Sequence, residues 1–350
     1  MSALPVIGTV LILLAAGSCL SIAAASDDNR GLEDAIQRVR AGDTVIIEPG
    51  TYHVANLELP PDVILHAPEG ATIVGNLIVR GPGTVIRGFT LDGGMIDISR
   101  SHAVTIGDCL FKGGETAIKL DEASGALIVN NEFRAVAGGV ITGWGLDRST
   151  ISGNHFYDCG QCINLAFNND RERGRGIAIE RNIFKGVARM PVEVGPIGAY
   201  TENLVVRDNW AEEFRNRGPD PGETMSTFVA YSLVPTHGVN TVITGNYAIA
   251  GSRGRGDIGI ELAGSGTITG NHIEDFRFGA IVYGTDFRVR DNLFLRTTDA
   301  AVLNYANLPG EISLDGESSR ITHPPERRAW PCRASEGGAE HFHLPDWPCD

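Results

Sequence analysis

One short pattern governs what this chain can fold into: two or three apolar residues, one or two polar ones, then Asn, usually followed by an aromatic or aliphatic residue. It returns at Asn131, Asn154, Asn182, Asn209, Asn246, Asn271 and Asn292, with Cys109 in the same place at the start. The spacings are 22, 23, 28, 27, 37, 25 and 21 residues. A period in the low twenties with insertions is the signature of stacked coils. A coil of two or three short strands cannot bury its apolar residues alone, but stacking sets each under the next at about 4.8 Å. An Asn at one turn of every coil can bond the backbone there and the amide of the next Asn, satisfying polar groups that the turn points inward. The spacing therefore predicts an asparagine ladder.

That ladder, with Gly42-Asp43-Thr44-Val45-Ile46-Ile47-Glu48-Pro49-Gly50-Thr51-Tyr52 ahead of it, resembles the right-handed parallel β-helix proteins of the pectate-lyase-like superfamily, over about residues 30–305. The fold class expected is all-β, a right-handed parallel β-helix or solenoid with an N-terminal capping helix and an irregular C-terminal tail.

Residues 1–25 carry no charged side chain and end in Ala23-x-Ala25, the pattern of a secretory signal peptide without its basic start. Secretion or export to the periplasm follows; anchoring through residues 4–25, or lipid on Cys19, is the alternative. The net charge of −14 argues against general nucleic-acid binding, which needs a basic face. Length and composition allow one large repeat domain, residues 26–309, expected to be monomeric. Asp27, Asp28 and Asn29 offer caps, and Leu32, Ala35, Ile36 and Val39 follow at helical spacing, so a short helix is expected to cover the first coil. From about Gly310 the pattern stops, and Trp330-Pro331-Cys332 and Trp347-Pro348-Cys349 read as a disulfide-closed tail. Cys159-x-x-Cys162 sits in a coil turn and reads as a structural disulfide or two buried thiols.

Ahead of each ladder Asn lies a second set of short strands. Strand alternation turns their middle residues to solvent as one column: Asp97, Lys119, Ile141, Asn164, Glu193, Ala230, Glu261, Val282. The long insertions, around residues 167–176, 195–202, 212–225 and 232–239, all flank the middle of that column. Insertions on one face of a solenoid build its binding face. Glu193 and Glu261 stand two rungs apart, about 10 Å between backbones. Such a pair suits an inverting glycosidase, one carboxyl acting as acid and one as base. Outward Glu residues also occur on such strands for solubility alone.

Arginines point to a different chemistry. Arg171, Arg173, Arg175, Arg189, Arg253 and Arg255 border the same groove, and guanidinium pairs bidentately with carboxylate or sulfate. An acidic protein with a local Arg-lined groove suits an anionic polysaccharide, bound by Arg171, Arg173, Arg175, Arg253 and Lys119. A uronate polymer is open to β-elimination, in which a base removes the C5 proton and an acid assists the leaving oxygen. The resemblance implies the same: polysaccharide lyases and C5-epimerases with Lys or Arg as base and calcium as neutraliser. Glu193, Glu261 and Asn164 would hold calcium; Arg189, Arg255 or His237 would be base and Tyr200 acid, Tyr231 being turned inward. Lyase or epimerase chemistry is therefore expected ahead of inverting hydrolysis, with a catalytically silent carbohydrate-binding protein as the third possibility. Pro191-Val192-Glu193-Val194 faintly resembles a segment of the alginate and chondroitin lyases, but no Lys follows it here.

Overall fold

Strands of three to five residues cannot bury their apolar side chains singly, so the chain winds them into coils that stack in parallel register. The computed structural model describes residues 19–22, 29–165, 173–194, 200–214, 227–231, 238–251, 256–262, 264–282, 286–304, 311–312 and 321–322. They form a right-handed parallel β-solenoid of about ten turns, as expected.

Three strand columns make three faces. The first runs through Ile118–Lys119, Gly139–Thr142, Gln161–Leu165, Val192–Val194, Thr227–Tyr231 and Gly256–Leu262. The second includes Leu127–Val129, Thr150–Ser152, Ala178–Glu180 and Val205–Arg207. The third includes Glu132–Arg134, His155–Tyr157, Ile183–Lys185, Trp210–Glu212 and Tyr247–Ile249.

Each corner is turned by one residue in the left-handed region. Between second and third faces these are Asp108, Asn130, Gly153, Arg181, Asp208, Gly245, Gly270 and Asp291, with φ between 53° and 66°, each directly before a ladder residue. This explains the polar or Gly residue that precedes every ladder position: Gly, Asn and Asp tolerate positive φ best. Gly153 also has a neighbour close by, since an added Cβ would stand 2.6 Å from Asn130 Oδ1.

The ladder is continuous. Asn131 Nδ2 donates to Asn154 Oδ1 at 3.0 Å, and the contact repeats through Asn182, Asn209, Asn246, Asn271 and Asn292 at 2.9 to 3.0 Å. Each Oδ1 also accepts the backbone N–H of the preceding rung, and each Nδ2 reaches a second-face carbonyl, as Asn131 does to Ile106. Cys109 starts the series with its N–H on Asn131 Oδ1 and its thiol on the Gly107 carbonyl. Two residues beyond the Asn, the phenyl rings of Phe111, Phe133, Phe156 and Phe184 stack through the core at 4.7 to 4.9 Å.

The helix Asn29–Ile36 forms where expected and buries Leu32 and Ile36, packing against Thr51–Leu59. Strand pairing runs past both expected boundaries. Cys19–Ile22, inside the segment read as a leader, lies parallel to Thr44–Ile47. Beyond residue 309, Glu311–Ile312 pairs with Arg288–Val289 and Ile321–Thr322 with Val302–Leu303. Cys332 and Cys349 lie outside the described residues. Cys159 and Cys162 are both buried and unlinked, the two-thiol form of the alternatives. No helix among the described residues is long and apolar enough to cross a membrane.

Candidate functional site

Register places the first-face column more firmly than alternation did. Reading through paired strands, it runs Asp97, Lys119, Thr142, Asn164, Glu193, Ala230, Glu261, Ile281. Two positions differ from the sequence reading by one residue. Thr142, not Ile141, and Ile281, not Val282, occupy their rungs. At the first, both Val140 and Ile141 are buried, so simple alternation fails there. Asn164, Glu193, Ala230 and Glu261 do stand on consecutive rungs, as expected.

The low end of the column is saturated. Asp97 bonds Arg80 at 3.1 Å and the Ser99 N–H at 2.9 Å. Burial opposes its charge, but these bonds win and hold its carboxyl below the usual range. Lys119 Nζ pairs with Asp121 at 2.9 Å, and it stands three rungs from Glu193, so it belongs to that saturated end and not to a shared sugar subsite.

The middle differs. Glu193 is half-buried, and loss of water pushes its carboxyl up; the Arg189 charge and the hydrogen bond from Gln161 Nε2 pull the other way and lose. One rung below, Asn164 Oδ1 is buried and has no hydrogen-bond partner among the described residues. Two rungs above Glu193, Glu261 is 3% exposed, which corrects its expected solvent position. A carboxylate buried beside an insertion-lined column is costly unless partnered, and Glu261 does have a partner. Gln161 was invisible to the sequence reading. It lies three residues before Asn164, where strict alternation would send the two to opposite faces, and only a departure from that alternation brings its amide to Glu193.

The insertions have structure of their own. Arg173–Arg175, Tyr200–Glu202 and Gly238–Val239 form a small parallel sheet at the corner between first and second faces. Arg175 is exposed with Glu202 at 3.8 Å. Arg173 and Tyr200 pair by backbone, their side chains lying outside what is described; Arg171, His237, Arg253 and Arg255 lie outside the described residues altogether.

Calcium needs six to eight oxygen ligands. Among the described residues no three His, Cys, Asp or Glu converge on a metal position. The residues expected to hold calcium, Asn164, Glu193 and Glu261, stand on rungs of one column.

What the arrangement offers is a desolvated carboxyl that keeps its proton to higher pH, an amide and a guanidinium beside it, an unpartnered acceptor below, and a second buried carboxyl two rungs on. A right-handed β-helix region model matches residues 86–294. Among solved structures, the tailspike protein of Escherichia coli bacteriophage HK620, in complex with a pentasaccharide, has a TM-score of 0.60 at 15% identity over 85% of this chain. The chain spans 63% of that tailspike's length. A family 28 exopolygalacturonase of Yersinia enterocolitica has a TM-score of 0.53 at 11% identity, over 88% of this chain and 78% of that one. A comparison with curated protein sequences finds no match. With the matched region covering more than half of its length and the coils, corners and ladder all in place, the chain belongs to the right-handed β-helix family.

Proposed function

We propose that this protein cleaves a polysaccharide laid along its first face, and that it does so by inverting hydrolysis. One observation carries the reading: Glu193 is held toward its protonated form by burial while a second carboxyl, Glu261, stands two rungs away. An acid of raised pKa and a separate base with room for water between them are the parts of an inverting glycosidase. Glu193 would protonate the leaving oxygen and Glu261 would activate the water, from opposite sides of the sugar. Asn164 would accept a bond from a sugar hydroxyl. The tailspike bound to a pentasaccharide and the exopolygalacturonase, which share the fold, support a carbohydrate substrate.

This order reverses the expectation of elimination first. What favours hydrolysis is the raised pKa of Glu193, the property of a general acid, with a second carboxyl two rungs away. Elimination keeps a place through Arg189, whose charge beside Glu193 suits a uronate carboxylate. We likewise propose an acidic glycan as substrate, a secreted or periplasmic location and a monomeric protein.

The test is reducing-end release and ultraviolet absorbance across acidic and neutral polysaccharides, for wild type, Glu193→Gln and Glu261→Gln. Each substitution is expected to lower kcat about 10²- to 10⁴-fold, the usual contribution of a general acid or base. Full activity in either variant would remove that residue from the mechanism, and an unsaturated, ultraviolet-absorbing product would replace hydrolysis by elimination.

A further inference from the structure

The turn that brings the chain from the third face into the first contains a group that the hydrolytic reading does not use. Cys159 and Cys162, three residues apart, both point into the core and are 1% and 0% exposed. Cys159 Sγ donates to the carbonyls of Phe133 at 3.6 Å and Tyr157 at 3.4 Å. The two thiols are also within hydrogen-bond reach of one another, which lowers Cys159, while burial holds Cys162 well above the usual thiol range.

What lies between them matters more. Gly160 is clamped on the coil below, where an added Cβ would stand 2.0 Å from the Ala137 carbonyl oxygen. Its own carbonyl accepts the Arg189 N–H at 3.2 Å. Gln161, next in the chain, holds Glu193 through its side-chain amide. The backbone of Cys162 donates to the Met190 carbonyl at 3.1 Å. The two sulfurs thus bracket the short segment from which both neighbours of Glu193, Arg189 and Gln161, are hung.

We infer that Cys159 and Cys162 are a dithiol–disulfide site whose closure fixes the Gly160-Gln161 segment against Glu193. The oxidant is a disulfide, of a small molecule or of an oxidoreductase. The Cys159 thiolate attacks one of its sulfurs, forming a mixed disulfide and releasing one thiol. The Cys162 thiolate then attacks Cys159 Sγ, the intramolecular bond forms and the second thiol leaves. Two thiols lose two electrons and two protons, and the oxidant disulfide is reduced to two thiols. Burial restricts this exchange to folding or to local opening of the turn. Afterwards the bond is protected from reductant in the same way. The Tyr157 carbonyl that Cys159 leaves still accepts the Ala135 N–H at 3.0 Å, so closure does not strand it.

The bond itself is independent of any activity; its effect on catalysis rests on Glu193 being the acid. The full chain is refolded at a series of glutathione poises, denatured, alkylated and digested with trypsin. Peptide 149–171 holds both cysteines and no others. Under oxidising poise it should be two hydrogens lighter and refuse label until reduced, while Cys109, a buried thiol not bracketed in this way, takes label throughout. Labelling of both Cys159 and Cys162 at every poise would overturn the site. Oxidised protein should then hydrolyse several-fold faster than protein refolded reduced, with the alkaline limb of its pH profile displaced. A disulfide present with an identical profile in both forms would overturn the coupling to Glu193 and leave the hydrolytic reading untouched.

Discussion

At the scale of the residue, Glu193 and Asn182 show opposite ways of burying a polar group. Glu193 gives up its charge more readily than an ordinary carboxyl, because loss of water outweighs the help of Arg189 and Gln161. Its folded pKa is raised, so the folded state binds its proton more tightly than the unfolded chain does. The stability that it contributes is present in full below the unfolded carboxyl value and is lost as pH rises through the folded one. Thermal melts of wild type and Glu193→Gln should therefore diverge with rising pH, the Gln variant becoming relatively more stable. On the proposed hydrolysis the same proton would set activity: a general acid is competent only while protonated, so kcat/KM should fall as pH climbs through the raised pKa of Glu193. A wild-type difference that is flat across this range would contradict both. Asn182, by contrast, is fully satisfied. Its Oδ1 accepts the Asn154 N–H and amide, and its Nδ2 serves the Ile151 carbonyl and Asn209. Asn182→Ala strands at least the Asn154 N–H and the Ile151 carbonyl, and at about 1–3 kcal/mol for each orphaned group the loss is about 2–6 kcal/mol. Denaturant unfolding measures it.

The element of this fold is the corner, more than the strand. Strands of three residues carry little register information, and what defines a coil is the left-handed residue that turns it three times. Arg181, φ 53°, shows that the position accepts a large side chain when it has work, here bonding Ser152 and pairing with the buried Glu180. Gly153, φ 66°, has no such compensation available. Gly153→Ala should cost about 1–2 kcal/mol for left-handed backbone alone, and more if Asn130 Oδ1, 2.6 Å from the new methyl, cannot move aside. An unchanged melting temperature would contradict this. Corners also explain what the sequence made visible. Asn131 through Asn292 announce one corner because a side chain must do chemistry there in every coil. The corner from third to first face uses any of Gly, Ala, Asp, Glu or Arg, as at Gly113, Ala135, Asp158, Glu213 and Arg296, and that from first to second face is as mixed, as at Ala103, Gly125, Arg148 and Asn203, so neither leaves a period to read. The column was legible at Asn164 and Glu193, each less buried than the apolar residues on either side, and at Glu261 by its place between Ile260 and Leu262. It slipped by one at Ile141 and Val282, where successive apolar residues are both buried. Gln161 and the burial of Glu261 were not legible, since both depend on neighbouring coils and insertions.

Across the whole molecule, the faces divide their labour. The second and third faces tie their outward charges to one another, as Glu180 does to Arg181 and Arg207 and Glu274 to His272 and Arg296. The core beneath is a stack, and shortening one member should be felt by those above and below. Phe156→Ala removes a ring held between Phe133 and Phe184 and should cost about 3–5 kcal/mol. Among the described residues, the middle of the first face combines a carboxyl of raised pKa with an unpartnered amide oxygen between long insertions. The solenoid keeps these groups at fixed rungs, so on the proposed hydrolysis the geometry of attack would be built into the stacking. Its most direct reading is the stereochemistry of the product. Nuclear magnetic resonance of the newly formed anomeric centre, followed from the first minutes of polysaccharide cleavage, should show the configuration opposite to that of the bond broken, before mutarotation. A product that keeps the configuration, or one that carries a double bond in place of a new reducing hydroxyl, would contradict the assignment of Glu193 as acid and Glu261 as base.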